Sequence, residues 1–239
     1  MKFLDFSFSS PAENLACDEA LLEAREAGTI DETLRFWESP QYFVVVGYGN
    51  SVATETRADV CAAKQIPILR RCSGGGTVVQ GPGCLNYSLI LNYSNEGPLR
   101  NITAANQFIM ERNRAALEKL TGKAVAIRGH TDLAIDGVKF SGNAQRRKKR
   151  TLLFHGALLL NFDLALISEL LPMPSQEPDY RLHRPHQDFL QNLELPAKDV
   201  KNALRAAWQA REAASEIPSE IIASLARDKY VNSAWNLKF

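Results

Sequence analysis

Residues 70–88 read RRCSGGGTVVQGPGCLNYS, and this stretch decides the architecture. Residues 66–70 before it and 85–91 after it have strand composition, so 73–83 reads as a glycine-rich connection between two strands. Three consecutive glycines, Gly74, Gly75 and Gly76, let a backbone approach a ligand closely and aim its N–H groups at an anion. Arg70 and Arg71 add planar forks that suit carboxylate or phosphate. On the glycines alone, a hairpin turn flanked by solvated arginines is the simpler reading. No Gly-Lys-Ser/Thr follows, which removes a P-loop, and Val79 stands where a dinucleotide-binding fingerprint needs its third glycine.

Upstream of the loop, Phe3, Phe6 and Phe8 predict an opening strand. Ser10, Pro11 and Glu13 have the spacing of a capping box that starts a helix running to Gly28. Strands follow at 33–37 and 43–47, the second with the continuous apolar run of a strand buried on both faces, and a helix at 57–64. Downstream, Thr103 is the expected cap of a long helix with Phe108, Ile109, Ala115, Leu117 and Leu120 on its apolar face. AVAIR, TDLAID, VKFSGNAQR and LLFHGALLLNF then read as successive strands, with Asp136-Gly137 as a hairpin signal. Past Pro172 the period is lost to recurring prolines, and two more helices are expected at 200–211 and 219–230. Interleaved helices and strands with hairpins predict an α/β (α+β) fold, a mixed β-sheet flanked by helices. Residues 1–239 are read as one domain.

The chain has 239 residues, of which 45% are hydrophobic, enough to bury a core without staples. Lys and Arg number 28 against 27 Asp and Glu, so no global field favours nucleic acid or an anionic membrane surface. No apolar run is long enough to span a bilayer, and serine, aspartate and proline interrupt any signal-peptide core, so a cytoplasmic protein is expected. Cys17, Cys61, Cys72 and Cys84 lack the spacing of a disulfide framework or a zinc site, and no metal ligand set is expected.

Outside the loop, Lys139 follows the Asp136-Gly137 turn and precedes Ser141, Gly142 and Ala144, small residues that leave room for a ligand beside an ammonium. An exposed strand lysine is the plainer alternative. His155 sits inside LLFHGALLL, either as a satisfied core histidine or as a pocket wall, whereas His130, His183 and His186 read as surface residues. The run Arg146–Arg150 reads as a solvated hairpin tip or as an attractor for an acidic partner. At the level of residues this gives a candidate anion-binding glycine loop near a lysine and buried polar residues, which suggests a transferase or ligase.

Taken together, LRFW at 34–37, VVVGYGN at 44–50, RRCSGGGTVVQGPGCLNYS at 70–88, GHTDLAIDGVKFSGNAQRR at 129–147 and LLFHGALLLNFDL at 152–164 resemble the catalytic domain of lipoate–protein ligases, in the biotin/lipoate A/B protein ligase family. KYVNSAWN at 229–236 resembles the end of that domain. The resemblance implies a class II biotin/lipoyl synthetase-like fold and two half-reactions. Lipoate and ATP, with Mg2+ as counter-ion, would give lipoyl-adenylate; the lysine of an acceptor lipoyl domain, in a dehydrogenase subunit or an H-protein, would then take the acyl group. It implies that Arg71 and the Gly74–Gly76 backbone hold lipoate or the adenylate phosphate. Lys139 would stabilise charge in both steps, and Asp132 would act near the nucleotide and the acceptor amine. His155 and Ala144 would line the acyl pocket. Ser73, Thr77, Val78, Gln80, Asn86, Ser141, Gly142 and Gly156 complete the implied binding set.

Two features depart from the family pattern: Gln80 stands where histidine is common, and the chain stops where a smaller C-terminal accessory domain often begins. A separate accessory protein for adenylation is therefore an implied partner. Octanoyltransferases of the same superfamily form the first alternative. In forms with this glycine loop their catalytic cysteine precedes the strand that carries the Asp-Leu pair, where this chain reads IRGHTD. A binding module that holds lipoate without turnover is the second. Biotin ligation is disfavoured because the arginine-rich glycine motif of that branch is absent.

Overall fold

The computed structural model describes residues 1–239. Its elements are, in chain order, β1 (Lys2–Asp5), α1 (Pro11–Ala27), β2 (Thr33–Trp37), β3 (Phe43–Val46), α2 (Val52–Glu55), α3 (Ala58–Ala63), β4 (Ile68–Arg70), β5 (Val78–Gln80), β6 (Cys84–Asn92) and α4 (Ile102–Thr121). The second half adds β7 (Ala126–Arg128), β8 (Asp132–Ile135), β9 (Val138–Arg147), β10 (Thr151–Leu159), α5 (Leu164–Leu170), α6 (His186–Phe189), α7 (Ala197–Ala207), β11 (Glu212–Ala213), α8 (Ser219–Leu225) and α9 (Ser233–Asn236).

Eight strands form the main sheet in the order β11-β1-β2-β6-β10-β9-β8-β7, and β4-β3-β5 form a small second sheet. The pairings β11–β1 and β1–β2 are parallel, and every pairing from β2 to β7 is antiparallel. The sheet is mixed, as the interleaved pattern predicts. Its two faces bury different sets of side chains because successive residues of a strand point to opposite sides. Leu34, Phe36, Tyr87, Leu89, Leu152 and Phe154 share one cluster with Ile109, Met110 and Leu117 of α4 and Val200 and Leu204 of α7. Trp37, Ile90 and Leu153 face the other way, into a cluster with Leu15, Ala16 and Leu22 of α1 and Phe43 and Val45 of the small sheet. That second face carries the candidate site.

Several local expectations change. The opening strand ends at Asp5, before Phe6 and Phe8, whose rings meet edge to face at 4.9 Å. Ser10 does occupy the cap position of α1 with Pro11 behind it, but its hydroxyl makes no capping bond. Asn14 fixes the helix start instead, accepting from Phe8 N–H at 3.0 Å and donating to the Phe8 carbonyl at 2.8 Å. The cap of α4 is Asn101, which accepts from Ala104 N–H at 2.8 Å, two residues before Thr103. The glycine-rich segment contains the short strand β5, and α8 passes into a π-helical turn over Ala226–Tyr230. The basic hairpin tip is tied down. Lys148 pairs with Glu23 and the Arg150 guanidinium donates to the Glu26 carbonyl at 2.8 Å, both on α1, while Arg147 lies 3.8 Å from the Tyr93 ring centroid.

Candidate active site

The register of the main sheet builds a row of side chains on the α1 face: Trp37 of β2 opposes Asn86 of β6, Asn86 opposes Ala157 of β10, Ala157 opposes Gly142 of β9, and Gly142 opposes Asp132 of β8. A parallel row runs Arg35, Ser88, His155, Ala144. Ala157, Gly142 and Ala144 are small and partly exposed, so the sheet surface lies low and open there as a shallow trough, while the β2 and β6 ends of both rows are buried.

Lys139 reaches this trough through a β-bulge. The β8–β9 pairing passes from Leu133–Ser141 to Ala134–Lys139, so Phe140 has no partner and buries its ring in the α4-side core. One extra residue turns the strand so that Lys139 and Gly142 share a face. Lys139 Nζ then lies 2.8 Å from Asp132 Oδ1, and a Cβ on Gly142 would come within 3.0 Å of that same Nζ. Tyr180 Oη donates to Asp132 Oδ2 at 2.8 Å, and burial, reinforced by the Asp132 charge, pushes the Tyr180 phenol up from its ordinary value. Both carboxylate oxygens of Asp132 are therefore engaged, which fixes the lysine ammonium at the edge of the trough.

Above it sits the glycine loop. A Cβ on Gly75 would lie 3.5 Å from Ala144 Cβ, and Ser73 Oγ is 2.6 Å from His155 Nε2. The two loop arginines do different work from that predicted. Arg70 is fully buried, and its guanidinium donates to the carbonyls of Gly47, Tyr48, Asn50, Trp235 and Asn236 at 2.8–3.1 Å, which leaves no fork for a ligand. Arg71 curls under its own loop, donating to the Gly74 carbonyl at 2.6 Å and the Gly76 carbonyl at 2.7 Å, and burial lowers it to about 10. With the carbonyls turned in toward Arg71, the Gly74–Gly76 N–H groups donate to nothing within the protein. They form an anion-ready cradle over the trough.

Beneath the loop lies a buried polar chain that sequence reasoning missed in part. Arg71 Nε donates to Ser73 Oγ at 3.2 Å, so the hydroxyl proton is free for His155 Nε2, which leaves His155 Nδ1 as the nitrogen facing Asp18 Oδ2 at 3.4 Å. Asp18 also takes Arg35 Nη1 at 2.5 Å and the Ser88 hydroxyl at 2.8 Å. Burial pushes the Asp18 carboxyl up, but Arg35, His155 and Ser88 together outweigh it and hold the group below its ordinary value. Arg35 and Ser88 lie inside stretches that resemble the family, but the resemblance implied no role for them or for Asp18. The available signal was weak: Asp18 is one of several charged residues of α1, and Arg35 and Ser88 interrupt the apolar runs of β2 and β6.

Not every predicted residue lies here. Thr77 accepts from Asn50 Nδ2 at 3.3 Å, beside the loop, and Val78 begins β5. Gln80 donates to Asn86 Oδ1 at 2.7 Å, a buried bond between β5 and β6. Ser141 and Gly156 point to the opposite face, where Asn143 donates to Ser141 Oγ at 3.4 Å and a Cβ on Gly156 would strike Asn143 and Tyr87. An open groove of about 760 Å3 lies away from the trough along the outer face of α4, lined by Pro98, Phe108, Arg112 and Ala207 among others. No cluster of three His, Cys, Asp or Glu side chains gathers anywhere, and no helix is long and apolar enough to cross a membrane.

All four cysteines are buried. Burial pushes the thiol of Cys17 up to about 11 and those of Cys72 and Cys84 to about 12, and raises that of Cys61 as well.

A mixed sheet flanked by helices with this topology is the fold of lipoate-protein ligase catalytic domains. The pattern of the lipoyl protein ligase A/B catalytic domain matches residues 10–208, and the chain belongs to that family. Among solved structures, lipoate-protein ligase A bound with ATP superposes with a TM-score of 0.86 at 24% identity, covering 99% of this chain and 98% of that one. The bipartite lipoate protein ligase of Thermoplasma acidophilum superposes at 0.85 with 23% identity over 99% of this chain and 95% of that one. Among curated proteins, octanoyltransferase LipM of Geobacillus kaustophilus is 28% identical over 277 aligned residues, covering 99% of this chain and 98% of the relative. That of Halalkalibacterium halodurans is 25% identical, with 99% and 98% covered. The chain is thus an enzyme of the lipoyl and octanoyl transfer family, whose members modify lipoyl-domain acceptors.

Proposed function

We propose that this chain places a lipoyl or octanoyl group on the lysine of a lipoyl-domain acceptor by the ligase route, through an acyl-adenylate made from the free acid and ATP. The observation that carries the reading is the Lys139–Asp132 pair beside the unsatisfied N–H groups of the glycine loop: a fixed cation and an anion cradle at the rim of a trough. In the first step a carboxylate oxygen attacks the α-phosphorus of ATP and pyrophosphate leaves. In the second the acceptor amine attacks the acyl carbonyl, AMP leaves and the amine proton is released. Lys139 offsets charge on the carboxylate and α-phosphate in both steps. Magnesium would come with ATP as its counter-ion, and Asp132, held by Lys139 and Tyr180, would be the carboxylate nearest to it. The resemblance in fold to a bipartite ligase supports a separate accessory protein for the adenylation step.

The name shared by the curated relatives favours a second reading, transfer of octanoate from a carrier through a cysteine thioester. Against it stand the cysteines themselves. A thioester needs an accessible thiolate, and the thiols here are buried and shifted toward the protonated form.

Intact mass of an apo lipoyl domain separates the readings. Incubation with lipoate, ATP and magnesium, or with preformed lipoyl-adenylate, is expected to add a lipoyl group. Modification only from octanoyl-carrier protein without ATP would replace the ligase reading with the transferase one.

A further inference from the structure

A serine, a histidine and an aspartate stand in line beneath the glycine loop: Ser73 Oγ lies 2.6 Å from His155 Nε2, and Asp18 Oδ2 lies 3.4 Å from His155 Nδ1. On other folds that order activates a serine nucleophile. Here Ser73 is only 1% exposed, and Arg71 Nε donates to its oxygen at 3.2 Å, so the oxygen is not poised to attack a carbonyl. Its position suggests a different use. The Ser73 carbonyl accepts from Tyr48 N–H at 2.8 Å, and Arg71 takes the carbonyls of Gly74 and Gly76, but the Ser73 hydroxyl is what ties the loop to the main sheet, at His155 of β10.

That tie depends on where the imidazole carries its proton. With Arg71 donating to the Ser73 oxygen, the hydroxyl proton goes to Nε2, which must then be the unprotonated nitrogen. Asp18 enforces this tautomer, because a carboxylate only accepts and the nitrogen facing it must hold the proton. Asp18 is itself fixed. Arg35 Nη1 donates to its Oδ1 at 2.5 Å and the Ser88 hydroxyl donates to its Oδ2 at 2.8 Å, so turning the carboxylate breaks a buried bond.

Resting on the acyl-transfer reading above, we infer that Asp18 and His155 are positioning residues: Asp18 sets the tautomer of His155, and His155, through Ser73, holds the Gly74–Gly76 N–H groups in place over the trough. Asp18→Asn probes the device directly. Arg35 can only donate, so the amide keeps its oxygen there and turns its NH2 toward His155. The NH2 donates to Nδ1, the ring proton moves to Nε2, and the Ser73 proton loses its acceptor. Transfer from lipoyl-adenylate at saturating acceptor is expected to fall at least about tenfold, with the acceptor KM unchanged, because small displacements around a reacting centre cost orders of magnitude in rate.

The experiment reads the tautomer and the coupling. Nitrogen-15 NMR of histidine-labelled protein is expected to show the His155 proton on Nδ1 in the wild-type chain and on Nε2 in Asp18→Asn. Single-turnover transfer is then measured for Asp18→Asn, His155→Phe and the double variant. The double variant is expected to be no slower than His155→Phe, because Asp18 acts through the ring that is gone. Losses that multiply would mean that Asp18 only supports the fold and would overturn the inference, as would a wild-type ring protonated on Nε2. If Asp18→Asn does not fold, His155→Phe and Ser73→Ala form the cycle, shared losses upholding the inference and multiplied ones overturning it. If no donor modifies the acceptor, the acyl-transfer reading fails by itself. The tautomer and the amide signals of Gly74–Gly76 still decide the positioning role: a proton on Nδ1 with amides that shift in His155→Phe upholds it, and unmoved amides overturn it.

Discussion

At the scale of single residues, Lys139 and Asp18 illustrate two uses of charge. Lys139 is half-buried at the rim of the trough and contributes little to the core. Lys139→Ala is expected to lower transfer from lipoyl-adenylate by at least about a hundredfold, with an unchanged thermal midpoint, because it removes a preorganised cation from the reacting centre. Single-turnover mass spectrometry beside a melting curve checks both halves. Asp18 is different: it compensates Arg35, whose side chain has no exposed surface. Asp18→Asn leaves that guanidinium buried with a neutral partner, a loss of about 3–5 kcal/mol by denaturant titration. Its folded-state value lies below its unfolded one, so its contribution is complete above the ordinary carboxylate range and fades as pH falls through the folded value. Urea midpoints taken from neutral pH down to about pH 3 should therefore fall more steeply for the wild-type chain than for Asp18→Asn.

At the scale of elements, the decisive contacts are between loops and strand ends. The turn after β3 passes so close to the glycine loop that a Cβ on Gly47 would sit 2.1 Å from the Gly75 carbonyl oxygen. Gly47→Ala must push one backbone away from the other. A loss of about 1–3 kcal/mol is expected, together with weaker transfer, because the loop it displaces carries the free N–H groups. Thermal melts and acceptor modification measure the two effects. The bulge at Phe140 is the other case. Residue types announced the strand VKFSGNAQR, but alternation alone would have placed Lys139 on the face of Ser141 and Asn143; the extra residue moves it to the face of Gly142. The segment past Pro172, which showed no period, supplies Tyr180 to Asp132 and clamps the β8–β9 hairpin: Gln191 N–H donates to the Lys139 carbonyl at 2.9 Å and Arg184 to the Gly137 carbonyl at 2.9 Å.

At the scale of the whole molecule, the last residues of the chain brace the loop that lies far from them in sequence. Trp235 Nε1 donates to the Arg70 carbonyl at 2.8 Å, Asn236 Oδ1 accepts from Arg70 N–H at 2.9 Å, and the Arg70 guanidinium caps two more carbonyls of that tail. Removing residues 233–239 uncovers a buried arginine that ties the β3 turn to β4. The truncated chain is expected to lose several kcal/mol in denaturant titration, since charged groups left partly unsatisfied are the costly ones, and to lose transfer activity with it.

The sequence by itself determined the mixed sheet, the position of the glycine loop and the family to which the chain belongs. These follow from local signals: periodicity, glycine and turn chemistry, and contiguous motifs. Only the tertiary structure decided which arginine serves the fold, since Arg70 and Arg71 are indistinguishable as letters and differ in the carbonyls folded around them. It also decided that Asp18, His155 and Ser73, drawn from a helix, a strand and a loop, form one chain of hydrogen bonds. Such juxtapositions depend on strand register and on the packing of one sheet over another, and both arise from contacts between residues distant in sequence.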